Sequence, residues 1–175
     1  MIQYESEVTK YMSFKKNIEI KCPKCSEKQN FEVWQLINVT EYPELKVSVL
    51  NQDIFKFTCD KCKESGIILY PLIYHDESNK FFVYFNPEGD FSNIENQEGY
   101  RIKTAKDYLE FLEVIKLLED NIAEDKVVSS KNTLLNQFKN NEKLKNIDKV
   151  YYAGNDGRKL SFFVPQINGK ISLDM

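Results

Sequence analysis

Apolar and polar positions alternate with a period of two around Ile18 and Ile20, set against Lys and Glu. This predicts a short strand from Phe14 to Lys21. The stretch 30–39, rich in β-branched and aromatic residues, predicts the returning strand. Pro43 at a first helical position, Glu44 near the positive dipole end, and Leu45 with Val49 on one face then predict a short helix ending near Asn51. A strand over 54–58 follows. After Ser65-Gly66 the nearly continuous apolar run 67–74 predicts a strand buried on both faces, and residues 80–85 pair back onto it through the turn cluster Asp76-Glu77-Ser78-Asn79.

The pattern changes beyond a polar stretch at 86–99, the best boundary in the chain. Residues 100–103 predict a brief strand. Thr104 to Asp107 has the spacing of a capping box, and Tyr108, Phe111, Leu112, Ile115, Leu118 and Ile122 recur at helical intervals. A second helix is expected from Glu124 to about Leu144, with Val127, Val128, Leu134, Leu135 and Phe138 inward. The end of the chain reads as β: 150–153, a Gly154-Asn155-Asp156-Gly157 turn, 159–164, an Asn168-Gly169 turn, and 170–173. The expected organisation is an N-terminal tail at 1–13, a first domain at 14–88, a helical segment at 100–147 and C-terminal hairpins at 148–175. Met12 offers an alternative start within the tail.

Two pairs of cysteines change the reading of the first domain: Cys22-Pro23-Lys24-Cys25 and Cys59-Asp60-Lys61-Cys62. Each Cys-x-x-Cys turn can offer two thiolates to one ion, and two turns complete the tetrahedral Cys₄ cage that zinc prefers. Such a cage leaves no open position for water or substrate, so Cys22, Cys25, Cys59 and Cys62 are expected to hold one structural Zn²⁺. Strand, metal turn, strand is half of a zinc ribbon. The interval between the pairs exceeds the roughly 15–20 residues usual for such sites, and the expected helix and strand between them absorb the excess. Local disulfides and thioredoxin-like redox chemistry are the competing readings. The latter uses a single Cys-x-x-Cys near a βαβ unit, whereas this chain has two on expected β turns. Ser26 and Lys63 stand where metal turns often carry Gly, and a left-handed conformation there costs roughly 1–2 kcal/mol each. A Cys₄ zinc site supplies on the order of 10–16 kcal/mol, so loss of the ion is expected to unfold residues 18–86.

Composition narrows the partners. With 42% hydrophobic and 13% aromatic residues the chain is globular, and its formal charge of −3 argues against broad affinity for nucleic acid or anionic membrane. At 175 residues it can bury roughly 70% of its unfolded surface. The first twenty residues contain no apolar core of an export signal, and four cysteines in a cytosolic setting favour metal over disulfides. A cytoplasmic location is expected. His75, the sole histidine, ends the apolar run beside Asp76. It is either a proton shuttle or spare ligand, or simply a strand-end residue bonded to a carboxylate, and the second reading is preferred. Trp34 reads as a core residue rather than a stacking platform, and the aromatic strand Phe81-Phe82-Tyr84-Phe85 as sheet packing rather than a nucleic-acid surface. The lysines of 131–149 read as a solvated helix face, with an anionic partner as the alternative.

These residues resemble the CpXC domain, a bacterial and archaeal family named for its Cys-Pro-x-Cys turn. The resemblance rests on Cys22-Pro23-Lys24-Cys25, Trp34 with Ile37-Asn38-Val39, Pro43-Glu44-Leu45-Lys46, Phe57-Thr58-Cys59-Asp60-Lys61-Cys62, and Tyr70-Pro71-Leu72-Ile73-Tyr74-His75-Asp76. It covers 18 to about 88, extends more loosely to about 140, and leaves out the terminal hairpins. Asp60 stands where a proline is common in such turns. The resemblance implies zinc-ribbon-like architecture and no established activity, and its Tyr-His-Asp stretch raises His75 as a functional candidate.

The expected fold is therefore α+β: Cys₄ zinc-ribbon-like antiparallel β-hairpins with an inserted short helix, then a helical segment and C-terminal β-hairpins. The expected function is that of a zinc-binding protein whose structural ribbon contacts another protein. A nucleic-acid-binding ribbon is the alternative, and an enzyme using His75 with Asp76 a third reading.

Overall fold

The structure, a computed structural model, describes residues 11–174. The first ten residues, most of the expected tail, lie outside the described residues. The chain divides into two compact units, one ending at Tyr108 and the other beginning at Leu109.

The first unit is built on a five-stranded sheet in the order β1 (Phe14–Lys21), β2 (Lys28–Asn38), β5 (Leu72–Asp76), β6 (Phe81–Phe85), β7 (Arg101–Ala105). The hairpins expected from the alternating pattern are present: β1 pairs antiparallel with β2, and β5 with β6. Two further pairings, β2 with β5 and β6 with β7, are parallel. Helix α1 (Pro43–Leu50) starts with the anticipated proline and buries Val49. A second, two-stranded sheet consists of β3 (Lys56–Thr58) and β4 (Ser65–Ile67). A Cβ at Gly66 would lie 2.7 Å from Cε1 of the buried Phe57 ring, which would have to shift to admit it.

The apolar run 67–74 is not one buried strand. Ile67 ends β4 at 45% exposure, Leu69 is 40% exposed, and β5 begins only at Leu72. Pro71 explains the break, since it has no N–H to give a ladder. Beyond it Leu72, Tyr74, Phe81, Val83 and Phe85 are fully buried, and Tyr70 donates its hydroxyl to the Ile54 carbonyl at 2.9 Å. The expected strand at 54–58 is a 3-10 turn (Asp53–Phe55) followed by β3. Trp34, expected in the core, is only half-buried, and the Lys15 ammonium lies 4.6 Å from its ring centre.

Helix α2 (Tyr108–Glu119) begins later than the capping-box spacing suggested. Thr104 sits in β7 opposite Tyr84, where a β-branched residue fits better than at a cap. In the second unit, α3 (Glu124–Lys139) ends one turn before the expected Leu144. Its stripe is Val127, Leu134 and Phe138. Val128, expected inward, is 54% exposed, because it stands about 100° around the helix from Val127. The C-terminal strands β8 (Tyr151–Asn155), β9 (Lys159–Val164) and β10 (Gly169–Asp174) form an antiparallel meander in the order β10-β9-β8. Val150, Tyr152, Leu160, Phe162 and Val164 share a core with the α3 stripe. Among the described residues no helix is long and apolar enough to cross a membrane.

Candidate metal centre

The β1–β2 and β3–β4 hairpins each end in a cysteine turn, and the two turns are built alike. In the first, the Cys22 N–H donates to the Glu27 carbonyl at 2.8 Å and the Ser26 N–H to the Cys22 carbonyl at 2.9 Å. In the second, the Cys59 N–H donates to Glu64 at 2.8 Å and the Lys63 N–H to Cys59 at 2.9 Å. Ser26 and Lys63 occupy the left-handed region at φ 61° and 58°, as their places in the turns predict.

The turns face each other. Cys22 Sγ lies 3.7 Å from Cys62 Sγ, Cys25 Sγ lies 3.6 Å from Cys59 Sγ, and all four sulfurs fall within 4.8 Å of one another. A tetrahedral ion with bonds of ~2.3 Å would place its sulfurs about 3.8 Å apart, whereas a disulfide needs ~2.0 Å. All four cysteines are free thiols, so neither local disulfide is formed. Cys22 and Cys59 are buried, with Ile20 and Phe57 beside them and Ile18, Phe31 and Ile68 around the edge. The arrangement can hold a metal ion.

The sulfurs do not ionise alike. The backbone N–H of Cys25 is the main influence lowering the Cys22 thiol to about 7. For Cys25, the Glu27 N–H is the largest single influence and lowers it. Burial and the Cys62, Cys59 and Cys22 sulfurs outweigh that and push Cys25 up to about 12. Four sulfurs in one small volume cannot all carry charge unaided, and a divalent cation at their centre removes the conflict.

A feature not read from the sequence ties the turns together. Lys24 of the first turn bonds Glu64 behind the second at 2.7 Å, and Lys61 of the second bonds Glu27 behind the first at 2.7 Å. These reciprocal pairs are exposed and worth little energy individually, but they fix how the turns face each other. The signal was present: Cys-x-Lys-Cys-x-Glu occurs twice, at 22–27 and 59–64. Gln29 adds a link, accepting from the Asp60 N–H at 3.0 Å and donating to the Thr58 carbonyl at 3.2 Å.

His75 and Asp76 do not form the expected histidine–carboxylate bond. The Asp76 carboxylate accepts instead from the Asn79 N–H at 2.9 Å, the Asn79 amide at 2.8 Å and Thr40 Oγ1 at 3.5 Å. His75 is 0% exposed, stacked on Phe82 at 4.1 Å, with Tyr11 and Tyr100 rings 5.5 Å away. Neither ring nitrogen has a hydrogen-bond partner among the described residues. Burial lowers its pKa from the usual 6.5. Glu77, the Tyr11 carbonyl and Asp76 pull the other way without offsetting it, and Lys80 adds to the lowering. The unfolded chain therefore takes up a proton below 6.5 that the folded chain refuses, and stability falls as pH drops through that range. Urea titrations at stepped pH should show this fall in the wild type and its loss in His75→Phe. Parallel curves for the two proteins would overturn the assignment.

The aromatic strand is packing, with Phe81, Phe82 and Phe85 buried. Lys131, read as part of a solvated face, instead bonds Glu113 at 2.5 Å with its side chain 24% exposed. A family model described as "CpXC protein" matches residues 20–130, more than half of the chain. No curated protein and no solved structure matches it.

Proposed function

The chain belongs to the CpXC family, and from that premise and the geometry of its four thiols we propose that it is a zinc-binding protein. Its Cys₄ centre is structural, and the ribbon it fixes serves as a contact surface for another protein. The observation that carries the reading is the convergence of Cys22, Cys25, Cys59 and Cys62, with sulfur separations of 3.6 and 3.7 Å close to the edges of a zinc tetrahedron. Four protein ligands saturate such an ion, which supports an architectural role rather than catalysis.

Charge supports a protein partner over nucleic acid. Lys24 and Lys61 are consumed by Glu64 and Glu27. A divalent ion in four thiolates leaves about two negative charges at the centre. The four free thiols support a reducing, cytoplasmic setting.

Protein purified without added metal should contain one zinc per chain by elemental analysis, and Cys25→Ser should contain little. A protein captured from the host by the zinc-loaded wild type, and not by Cys25→Ser, would support the contact role. Absence of zinc, or a salt-dependent shift with short RNA at low ionic strength, would overturn the reading.

A further inference from the structure

A cavity of about 300 Å³ opens on the five-stranded sheet, away from the cysteines. Its floor follows from register. Phe14 stands opposite Leu36, Leu36 beside Ile73, and Ile73 opposite Tyr84, so one row of side chains crosses four strands. Phe14, Ile73 and Tyr84 of that row line the cavity.

The facing wall comes from the polar stretch at 86–99, the boundary expected from the sequence. Asn86 ties its own loop by donating its amide to the Asp90 carbonyl at 2.7 Å and accepting from the Glu88 N–H at 3.0 Å. Asp90 Oδ1 then accepts from the Ser92 N–H at 3.0 Å and the Ser92 hydroxyl at 2.7 Å. These bonds set Phe91 and Asn93 against the cavity. The other carboxylate oxygen of Asp90 has no partner among the described residues.

Size and charge select a ligand class. The volume is about twice that of an engineered ~150 Å³ cavity that takes up benzene, which suits a bicyclic ring. Among the described residues no lysine or arginine lines it, so none of them would bind a phosphate or carboxylate. Asp90 is the one charged lining residue among those described, and Ser92 holds its carboxyl below the usual range, keeping it ionised. Aromatic walls with a single anion favour a cation carrying a flat apolar body.

We propose that this cavity is a binding site for a small aromatic amine, its ring between Phe14, Ile73, Tyr84 and Phe91 and its ammonium at Asp90. The site goes beyond the metal-centre reading and shares no ligand with it. The zinc-loaded full chain, titrated with tryptamine and separately with indole-3-acetate, should give saturable amide shifts at Ile73, Tyr84 and Asn93. The acid should bind about tenfold more weakly, as expected for one partly screened charge. Asp90→Asn should bring the two probes to within about threefold of each other, while Phe91→Ala should weaken both. Failure to see saturable shifts at those three amides would overturn the proposal. So would an acid that binds the wild type as tightly as the amine, or a preference for the amine that survives Asp90→Asn.

Discussion

Removing a metal ion held by the four thiols, or replacing Cys25 with serine, is expected to unfold the two cysteine turns and the β3–β4 hairpin while the five-stranded sheet survives. The core behind the two turns is small: Ile20, Cys22, Phe57 and Cys59 are the buried members, and β3 and β4 span three residues each. Burial of a few such side chains is worth about 1.5–3 kcal/mol apiece, and ordering each residue of the turns costs roughly 1–2 kcal/mol. Without the ion's ~10–16 kcal/mol the balance fails. The sheet does not depend on it in the same way, because Ile37, Tyr74, Phe81, Val83 and Phe85 are fully buried away from the cysteine turns. This narrows the expectation that all of 18–86 would unfold. Hydrogen exchange resolves it: the amides of Cys22, Ser26, Cys59 and Lys63, each now in a turn bond, should exchange near random-coil rates in metal-free protein. Amides of β5 and β6 should keep most of their protection. Native-like protection of those four turn amides without metal would remove the structural role from the ion.

Local signals carried the sequence reading, and it failed where the fold was decided at a distance. Cys22 to Cys25 and Cys59 to Cys62 were legible because a metal turn needs only four consecutive residues. The hairpins around Asp156-Gly157 and Asn79 were legible because a turn announces itself. The parallel pairings of β2 with β5 and β6 with β7 were not, since a parallel ladder has no tight turn to betray it. Thr104 matches a capping box by spacing alone, and the sheet claims it first. Val128 reads as inward by type, although the stripe through Val127, Leu134 and Phe138 leaves it outside. In the candidate centre, the grouping of the four cysteines was legible and the reciprocal ion pairs between their turns were overlooked, although the doubled Lys and Glu positions encode them. His75 takes its sequence reading from its neighbour Asp76, whereas the rings of Phe82, Tyr11 and Tyr100 decide its surroundings.

Glu113→Ala is expected to cost the second unit about 3 kcal/mol, a large share of a small unit's stability. Glu113 Oε1 accepts from the Tyr152 backbone N–H at 2.6 Å and from the Lys131 ammonium at 2.5 Å, with its side chain 9% exposed. Tyr152 lies in β8, an edge of the three-stranded sheet, so its N–H is bonded to a helix carboxylate rather than to a further strand. Removing the carboxylate strands a buried donor, worth about 1–3 kcal/mol, and leaves a partly buried ammonium without its partner. Lys131 can turn toward water, which keeps the total near the low end of the ~3–5 kcal/mol seen for broken buried pairs. Glu113→Gln retains an acceptor for Tyr152 and should lose about half as much. Glu142→Ala is the surface comparison: its ion pair with Lys145 is 90% exposed on the glutamate side and should be nearly silent. Denaturant titration with Tyr152 exchange as the reporter should rank Glu113→Ala as the most destabilised, Glu113→Gln next and Glu142→Ala least. Equal, small effects at the two glutamates would mean that the Glu113 carboxylate does not bind the sheet edge to the helices.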